Sequence, residues 1–426
     1  MDKRFANIFG LDEAQSIELL DTPIDQLAAD DSRYVAAAQL ANYNSDASIA
    51  ALIRAVHNTD DSLDNKITRR KSVESLGKLK AKAALPDIQA CLTDPDPYTV
   101  EVAAWAIGEI GTADKTILET VAQQLARPNQ TYRVMIHTLA KLGYGEACDR
   151  IRPFTQSDDE LVASAAITAI CRFTQDDSEM GKVVDYLQHE SVNARRACLQ
   201  DLMDARYYPA ITQIARCPIS VAFRLRAVKQ LTEAGLAEGR LSEADVLPIL
   251  DQVLRDHPKD IDCVHAYDRP PSLDFLIQEL YQTDFGRAYL AIDTLLEQHA
   301  EAGPDELLAA YAGEARNDYG AHYHVMKLLG WLKYEPGYDL LIEGLQNTSP
   351  QYLKSRAAGA IALGELGDTR AIPALKESLK TPIWTLQYGA ILALEQLGET
   401  DFTLPEAMDE LVRLRAAAVQ QPSPVG

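Results

Sequence analysis

The sequence predicts an all-α fold, an α-solenoid of about eleven short helix pairs, from three observations. One helical pattern recurs along the chain, for example as YTVEVAAWAIGEIG (98–111), YLKSRAAGAIALGELG (352–367) and WTLQYGAILALEQLG (384–398). Shorter helices, often opened by proline, stand between the copies, and no strand-like alternation recurs. A single pair cannot cover its own apolar face, so we expect the pairs to stack into a superhelix.

The buried face of the repeated helix can be read from an alignment of nine copies. The copies end at 80, 111, 143, 174, 206 and 235, and then at 333, 367 and 398. Apolar residues recur four residues and one residue before each end, and a spacing of three or four residues marks one helical face. Tetratricopeptide and ankyrin signature residues are absent, so HEAT-like pairs fit best. The column four residues before the end consists of Leu76, Ile107, Leu139, Ile170, Leu202, Leu231, Leu329, Leu363 and Leu394.

A second face of the same helices forms what we call the polar stripe, the positions ten and six residues before each end. These positions are i and i+4, so each helix contributes one pair to one ladder. The second helix of a pair normally lines the concave side of a solenoid, so we expect the stripe to face an inner groove. Trp105, next to Tyr98 and Glu101, looks like a platform for a flat ligand or a partner's side chain. The alternative is an ordinary solvated face.

The repeat rhythm fails once, between residues 235 and 333. The irregular stretch LRDHPKDIDCVHAYDRPPSLDFLIQELYQTDFG (254–286) contains Pro270 and Pro271, which stop a helix. An interruption in a solenoid maps to a loop on one face, often the functional face; the alternative is a wide turn between repeats. The expected organisation is N-terminal HEAT-like repeats (1–235), irregular repeats (236–300), C-terminal repeats (301–412) and a tail (413–426).

Composition excludes several classes of function. The chain has 426 residues, with 41 Lys and Arg against 63 Asp and Glu, a net charge of −22. A nucleic-acid binder needs a basic surface, so no nucleic-acid partner is expected. The six cysteines show no metal-ligand spacing, and no nucleotide-binding motif stands in context, so neither a metal nor a nucleotide is expected. No apolar run suits a membrane, which favours a cytoplasmic protein with reduced thiols.

The chain resembles a known family at this point. The segment ITRRKSVESLGKLKAKAALPDIQACLTDPDPYTVEVAAWAIGEIG (67–111) is similar to the repeats of the E/F-type phycobilin lyases, HEAT-like proteins of cyanobacteria. DDSRYVAAAQLANYNSDASIAALIRAV (30–56) resembles their N-terminal repeat. HAYDRPPSLDFLIQELYQTDFG (265–286) resembles the phycoerythrin branch, the CpeY/MpeY lyases and the MpeZ/MpeQ lyase-isomerases. The resemblance covers essentially the whole chain, although Glu101 stands where the family commonly has Arg.

The resemblance implies an enzyme that forms a carbon–sulfur bond during assembly of a phycobilisome protein. Such proteins take a free linear tetrapyrrole, usually phycoerythrobilin, and a phycobiliprotein α subunit. They guide the subunit's cysteine thiol to the ring A ethylidene, and a thioether forms. Some members also move a double bond and turn phycoerythrobilin into phycourobilin. The expected partner is therefore a phycoerythrin α subunit, which supplies the nucleophile, and the expected substrate is phycoerythrobilin.

A bilin is long, flat and mostly apolar, and it carries two propionates. It needs aromatic surface, cations for the propionates, and a carboxylate to hold the pyrrole N–H groups. The sequence offers candidates for each of these roles in the polar stripe, in the interruption and at the start of the helix near 323. The predicted bilin-binding residues are Tyr98, Glu101, Trp105, Arg133, His137, Asp268, Arg269, Tyr319 and Tyr388.

The stretch NDYGAHYHVMKLLGWLK (317–333) crowds proton-exchanging groups onto the start of a repeat helix. Thiol addition needs a proton delivered to the tetrapyrrole, and isomerisation needs one proton removed and another added, which is general acid–base work. We predict that Tyr323 and His324 carry this proton shift, with Asp318 beside them. The alternative is that the cluster packs against 254–286 and orders it. Two other functions stay open: a plain phycoerythrobilin lyase without isomerase activity, and a non-catalytic HEAT-like adaptor or chaperone.

Overall fold

The computed structural model describes residues 10–420 and confirms the all-α prediction. Within that range the chain forms 24 α-helices joined by short turns, many of them 3₁₀ turns, and it forms no strand. The chain divides into two compact units, an N-terminal unit that ends at Met180 and a C-terminal unit that begins at Gly181. The boundaries predicted at 235, 300 and 412 stay a prediction about the repeats.

The N-terminal unit contains a double row of helices. Its helices are α1 (Glu13–Asp21), α2 (Arg33–Leu40), α3 (Asp46–His57), α4 (Leu63–Lys78), α5 (Leu85–Cys91), α6 (Pro97–Ile110), α7 (Lys115–Gln124), α8 (Tyr132–Lys141), α9 (Cys148–Ile151) and α10 (Glu160–Thr174). The even-numbered helices α2, α4, α6, α8 and α10 pack side by side in chain order, as stacked pairs require.

The C-terminal unit begins within α11, a helix that starts at the last residue of the N-terminal unit. Its helices are α11 (Met180–Asp185), α12 (Val192–Asp204), α13 (Ile211–Arg216), α14 (Val221–Ala237), α15 (Glu243–Arg255), α16 (Leu273–Glu279), α17 (Phe285–Gln298), α18 (Gly303–Ala310), α19 (Tyr319–Trp331), α20 (Tyr338–Gln346), α21 (Leu353–Leu366), α22 (Ile372–Ser378), α23 (Trp384–Gln396) and α24 (Glu410–Gln420). The repeat helices α19, α21 and α23 pack side by side.

The apolar column four residues before each repeat end is buried throughout. All nine predicted residues lie in the core of their unit. Glycine lets neighbouring helices approach closely at two places: a Cβ at Gly330 would lie 2.6 Å from Ala362 Cα, and one at Gly364 would lie 2.7 Å from Ala393 Cα. The face that buries this column is therefore packed tightly enough to hold the helices in register.

Helix α15 does not follow the repeat spacing, and it contacts several other helices of the C-terminal unit. It packs against α14 and also against α21, α23 and α24, which lie about a hundred residues or more further along the chain. After α15 a 3₁₀ turn (Pro258–Asp260) leads into a stretch without helix, 261–272, which contains Pro270 and Pro271 as predicted. The irregular region (236–300) thus includes a helix that packs on the repeat helices that follow it.

The assignment of residues 413–426 to a tail was wrong for most of that segment. Helix α24 continues to Gln420, and Leu411, Val412, Ala416 and Val419 on it are buried. These apolar residues recur at helical spacing, which the sequence reading overlooked because the segment lies beyond the last repeat. Residues 421–426 lie outside the described part of the chain.

Candidate functional site

A buried polar network lies in the C-terminal unit at the end of α15. The carboxylate of Asp256 accepts hydrogen bonds from three groups on three different helices. Tyr323 Oη donates to Asp256 Oδ2 at 2.5 Å, Tyr289 Oη donates to Asp256 Oδ1 at 2.9 Å, and Arg224 forms an ion pair with the same carboxylate. All four side chains are at most 3% exposed. The network therefore joins α14, α17 and α19 to the end of α15.

The backbone explains why Asp256 occupies this position. Asp256 caps the C-terminus of α15 in the left-handed conformation, with φ of 52°, and its N–H donates to Gln252 O at 2.9 Å. Aspartate adopts this conformation more readily than most residues. The ammonium group of Lys327 donates to the carbonyl oxygens of Leu254 and Arg255, so a second cation lies beside the cap.

In this network the pKa of Asp256 is lowered and the pKa of Tyr323 is raised. Burial alone would raise the pKa of the Asp256 carboxyl, but Arg224 and Lys327, with the hydrogen bond from Tyr323, hold it below its ordinary value. Burial and the adjacent Asp256 raise the pKa of Tyr323 well above 10. Asp256 is therefore ionised and Tyr323 keeps its proton near neutral pH.

A cavity of about 480 Å³ opens next to this network. Tyr323 and Leu254 connect the cavity wall to the network. The rest of the wall is apolar surface with several cations, and its members come from α14, α21 and α23: Val221, Ala222, Leu225, Arg226, Lys229, Gln230, Glu233, Leu353, Lys354, Ala357, Ala358, Trp384 and Thr385. The size and the mixed lining suit a small-molecule ligand that is largely apolar and carries negative charge.

The proton-exchanging cluster at 318–324 divides into three environments. Only Tyr323 lines the cavity. Asp318 caps α19, where it accepts from the N–H groups of Gly320 at 2.9 Å and Ala321 at 2.8 Å. His324 is 1% exposed, and its ring lies 4.7 Å from the ring of Phe285. The contacts of Tyr323 with Asp256 and of His324 with Phe285 are those that the alternative interpretation, packing against 254–286, requires.

The two buried histidines of this cluster are held neutral. Burial and the nearby Lys354 lower the pKa of His324 to about 3 and that of His322 to about 4. His322 stacks on Tyr352 with ring centroids 4.4 Å apart, and Tyr311 Oη lies 3.4 Å from its Nε2. A histidine with so low a pKa is a neutral imidazole, not an imidazolium, near neutral pH.

The other predicted binding residues of the C-terminal unit lie apart from the cavity wall. Tyr388 is buried and donates to Asp251 Oδ1 at 2.8 Å. Tyr319 is exposed, with the Lys354 ammonium 4.1 Å from its ring centroid. Asp268 and Arg269 are exposed in the helix-free stretch. Their role in binding stays a prediction.

Three predicted binding residues of the N-terminal unit lie on α6. Tyr98 is 62% exposed, and the Arg70 guanidinium lies 4.8 Å from its ring centroid. Glu101 accepts a hydrogen bond from Thr131 Oγ1 at 2.7 Å. Trp105 is half-buried against the core of this unit, and its ring covers Gly77, where a Cβ would come within 2.9 Å of it. Trp105 is thus partly a packing residue as well as a candidate platform.

The remaining two predicted residues of the N-terminal unit lie on α8. Arg133 Nη1 donates to Leu161 O at 2.6 Å, a contact with the start of α10. His137 is half-buried one turn further along the same helix face. The five N-terminal residues thus occupy neighbouring second helices of one row, as the stripe pattern predicted, and their contact with a ligand stays a prediction.

The polar stripe differs between the two units. In the N-terminal unit most of its members are partly exposed, as expected of a surface stripe. In the C-terminal unit Tyr323, Lys327, Ile361, Tyr388 and Leu392 are buried. Four stripe members of this unit, Leu225, Lys229, Tyr323 and Ala357, line the cavity. Others are covered by α15, since Tyr388 bonds Asp251 and Lys327 bonds the carbonyl oxygen of Arg255. The sequence gives each repeat the same pattern and does not reveal which part of the stripe another segment covers.

Sequence reasoning missed several residues that build this site. Asp256, Arg224 and Tyr289 form the network, and Lys354 lies in the cavity wall. Asp256 lies in the interruption, in the segment LRDHP (254–258). The available sequence signal was an acidic residue that follows a helix directly and stands two positions before a proline. Arg224 and Lys354 lie in repeat helices, and neighbouring copies of these helices also contain Lys or Arg. Their residue type therefore did not distinguish them from ordinary surface cations.

Residues 10–420 contain neither a membrane-spanning helix nor a metal-binding cluster. No helix in this range is both long and apolar enough to cross a membrane. No group of three or more potential metal-ligating side chains comes together there either.

Comparisons with known proteins give sequence relatives along nearly the whole chain. A model of HEAT repeats matches residues 61–131 and 338–421. The uncharacterized phycocyanin operon protein Y of Pseudanabaena tenuis (strain PCC 7409) is 55% identical and covers 94% of this chain and 95% of its own length. The bilin biosynthesis protein CpeY of Synechococcus sp. (strain WH8020) is 30% identical over 90% of this chain and 96% of its own length.

Among solved structures, the complex of CpcE and CpcF of phycocyanin lyase from Nostoc sp. PCC7120 contains a chain that is similar to this one. It is 28% identical, with a TM-score of 0.49, over 57% of this chain and 95% of the solved chain.

Proposed function

Since the chain belongs to the E/F-type phycobilin lyase family, we propose that it attaches phycoerythrobilin to a cysteine of a phycoerythrin α subunit and isomerises it to phycourobilin. Long, full-length similarity to a bilin biosynthesis protein supports the lyase part of this proposal. The phycoerythrin-branch motif in 265–286 motivates the choice of pigment and partner.

The observation that carries the proposal is the cavity in the C-terminal unit. Its volume of about 480 Å³ falls in the range of small-molecule sites. Leu225, Leu353, Ala357 and Trp384 supply apolar and aromatic surface for the flat pyrrole rings. This lining matches the chemistry of a pigment that is apolar along most of its length.

The cavity also provides charge for the two propionates. Arg226 and Lys229 lie on α14 at one side of the cavity. Lys229 is paired with Glu233 and Asp409, at 2.5 Å from each, so part of its charge is already balanced. Arg226 is exposed and is the cation best placed to meet a carboxylate at the cavity mouth.

The thiol comes from the partner in this reaction. The S–H bond breaks, a bond forms between the sulfur and the ethylidene carbon of ring A, and a hydrogen arrives on the adjacent ring carbon. None of the described residues that line the cavity is a cysteine. Leu353 lines the cavity and is 43% exposed, so the proposed acceptor segment can approach the pigment on that side.

Isomerisation to phycourobilin requires a proton to leave one carbon and another proton to arrive at a second carbon. Tyr323 is the predicted proton-transfer residue that lines the cavity, and its hydroxyl is oriented by the hydrogen bond to Asp256. His324 and Asp318 support it from behind, the first by packing and the second by capping α19. We therefore assign the isomerisation step to Tyr323.

Co-production tests both steps of the proposal. The chain is produced with phycoerythrin α and β subunits and the enzymes that make phycoerythrobilin, and the absorbance of the attached pigment is read after denaturation. We expect phycourobilin on the α subunit with the wild-type chain. With Tyr323→Phe we expect attached phycoerythrobilin, because the aromatic ring stays and the hydroxyl is lost.

Other products would separate the alternatives. Attached phycoerythrobilin from the wild-type chain would make it a plain lyase, and absence of any adduct would favour an adaptor. Since one relative is named for a phycocyanin operon, phycocyanin subunits belong in the same panel. Attachment there alone would change the proposed acceptor and leave the lyase reaction.

A further inference from the structure

Lys354 in the cavity wall lacks the partner that a buried lysine usually has. Its Nζ is buried and makes no hydrogen bond to any residue between 10 and 420. Three aromatic rings surround it instead, with centroid distances of 4.1 Å to Tyr319, 4.4 Å to Phe285 and 4.8 Å to Tyr323. Buried cations are normally paired, so an unpaired ammonium group that three rings cover beside the cavity calls for a ligand or a reaction.

The carboxylates nearest to Lys354 are already occupied. Asp256 is held by Arg224, Tyr289 and Tyr323, and Asp318 accepts from the backbone of its own helix. Lys229 on the opposite wall differs, because Glu233 and Asp409 both pair with it. Lys354 is the second residue of α21, where the helix dipole also disfavours a positive charge.

These surroundings place the titration of Lys354 near neutral pH. Burial lowers its pKa from 10.5 to about 7, and the charges of Asp256 and Asp318 only partly oppose the shift. The ammonium and amine forms are therefore both populated near pH 7. The aromatic rings accept either form, the first through cation–π attraction and the second by apolar contact. The titratable and charged groups that face this site from α14, α15 and α19 are Arg226, Lys229, Glu233, Asp256, Asp318, Tyr319, His322, Tyr323 and His324.

We infer that Lys354, if the proposed lyase function is correct, is the acid–base residue of thioether formation. Its ammonium group donates a proton to the ring A carbon next to the ethylidene as sulfur bonds to the ethylidene carbon. The resulting amine takes up the proton that the partner's thiol releases. The lysine thus ends the cycle as it began, and the net reaction adds one S–H bond across one C=C bond.

The role assigned to Lys354 differs from that of Tyr323. Tyr323 has a pKa well above 10, so near neutral pH it is present with its proton and acts first as a donor. A group whose pKa lies near the working pH exchanges protons in both directions most effectively. Lys354 therefore serves the addition of the thiol, whereas Tyr323 serves the subsequent shift of the double bond.

The substitution Lys354→Arg tests whether the reaction needs proton exchange at this position or only a positive charge. Lys354→Arg keeps a cation in the wall but cannot lose its proton near neutral pH. The rate of thioether formation is measured from about pH 5.5 to about pH 9 with saturating phycoerythrobilin and acceptor subunit. We expect the rate to fall about 100-fold, and the inflection near pH 7 seen with the wild-type chain to disappear, while bilin binding persists.

A second variant distinguishes a loss of proton transfer from a loss of folding. Lys354→Ala opens space beside the reacting carbon, and added ethylamine should restore part of its rate, which a purely structural role would not allow. Lys380→Met is the matched control, because Lys380 lies on the surface of the same unit and, within residues 10–420, pairs only with Glu377.

The outcomes distinguish this inference from the function on which it rests. No adduct from the wild-type chain overturns both. An adduct from the wild-type chain, with an unchanged rate and pH profile for Lys354→Arg, overturns only the role of Lys354. Loss of the inflection together with rescue of Lys354→Ala by ethylamine supports it.

Discussion

Replacing Asp256 with asparagine is expected to lower the free energy of unfolding by about 3–5 kcal/mol. Asparagine has nearly the same shape and also tolerates the left-handed backbone conformation, with φ of 52°, at this position. The change therefore removes little except the negative charge. What it leaves behind is Arg224, 1% exposed, and Lys327, 2% exposed, without their counter-ion.

The large effect follows from how the charges are buried. Removing one partner of a buried ion pair is costly because the other charge stays in a medium of low polarity. Tyr289 and Tyr323 also lose their charged acceptor, and hydrogen bonds to charged groups are stronger than neutral ones. Since the network joins four helices, we expect the loss to appear as lower cooperativity or a lower denaturant midpoint.

A surface pair provides the control for this prediction. Asp262 pairs with Arg216 where both side chains are about 40% exposed, so Asp262→Asn should cost about 1 kcal/mol or less. Chemical denaturation followed by circular dichroism compares the two variants. Equal effects at positions 256 and 262 would mean that the buried network does not stabilise the unit.

The second large effect is a loss of stability in mild acid that depends on His324. Burial lowers the pKa of this histidine from 6.5 to about 3 in the folded chain. Between these values the unfolded chain binds a proton at His324 and the folded chain does not. The free energy of unfolding therefore falls as the pH is lowered below about 6.5, and it continues to fall until the folded-state pKa is reached.

Leucine at position 324 removes this titration with little change in volume. A shift of one pKa unit corresponds to about 1.4 kcal/mol, so between pH 6.5 and pH 4 His324 alone should cost ~3 kcal/mol. His324→Leu should lose that much less stability than the wild-type chain over this range, as measured by denaturant unfolding at each pH. His299→Leu, at a partly exposed position, is the matched histidine-to-leucine control.

The periodic parts of the chain were predictable because one physical requirement repeats. Each repeat helix must bury one apolar face, so positions such as Leu139 and Leu363 are apolar in every copy and are buried in the structure. The same logic placed Tyr98, Glu101 and Trp105 together on one helix. It failed for residues 413–420, which form a helix beyond the last of the nine aligned copies.

The network and cavity could not be predicted in the same way, because they depend on contacts between segments far apart in sequence. Asp256 meets Tyr323, 67 residues further along, only because α15 leaves the stack and packs on later helices. No local pattern around either residue specifies that meeting. The stretch 317–333 did signal unusual chemistry, but the pattern could not show that Tyr323 would line a cavity while His324 lay behind it.

Spectral titration of phycoerythrobilin with the purified chain tests most directly whether the C-terminal cavity holds the pigment. Ala357→Trp fills the cavity wall, and Ala418→Trp, on the exposed side of α24, is the control. Overpacking of about 1–3 kcal/mol corresponds to about 5- to 150-fold weaker binding. If the cavity is the bilin site, Ala357→Trp alone weakens binding by that factor and the unfolding midpoints of both variants stay close to that of the wild-type chain. Equal affinity for phycoerythrobilin in a folded Ala357→Trp chain would contradict it.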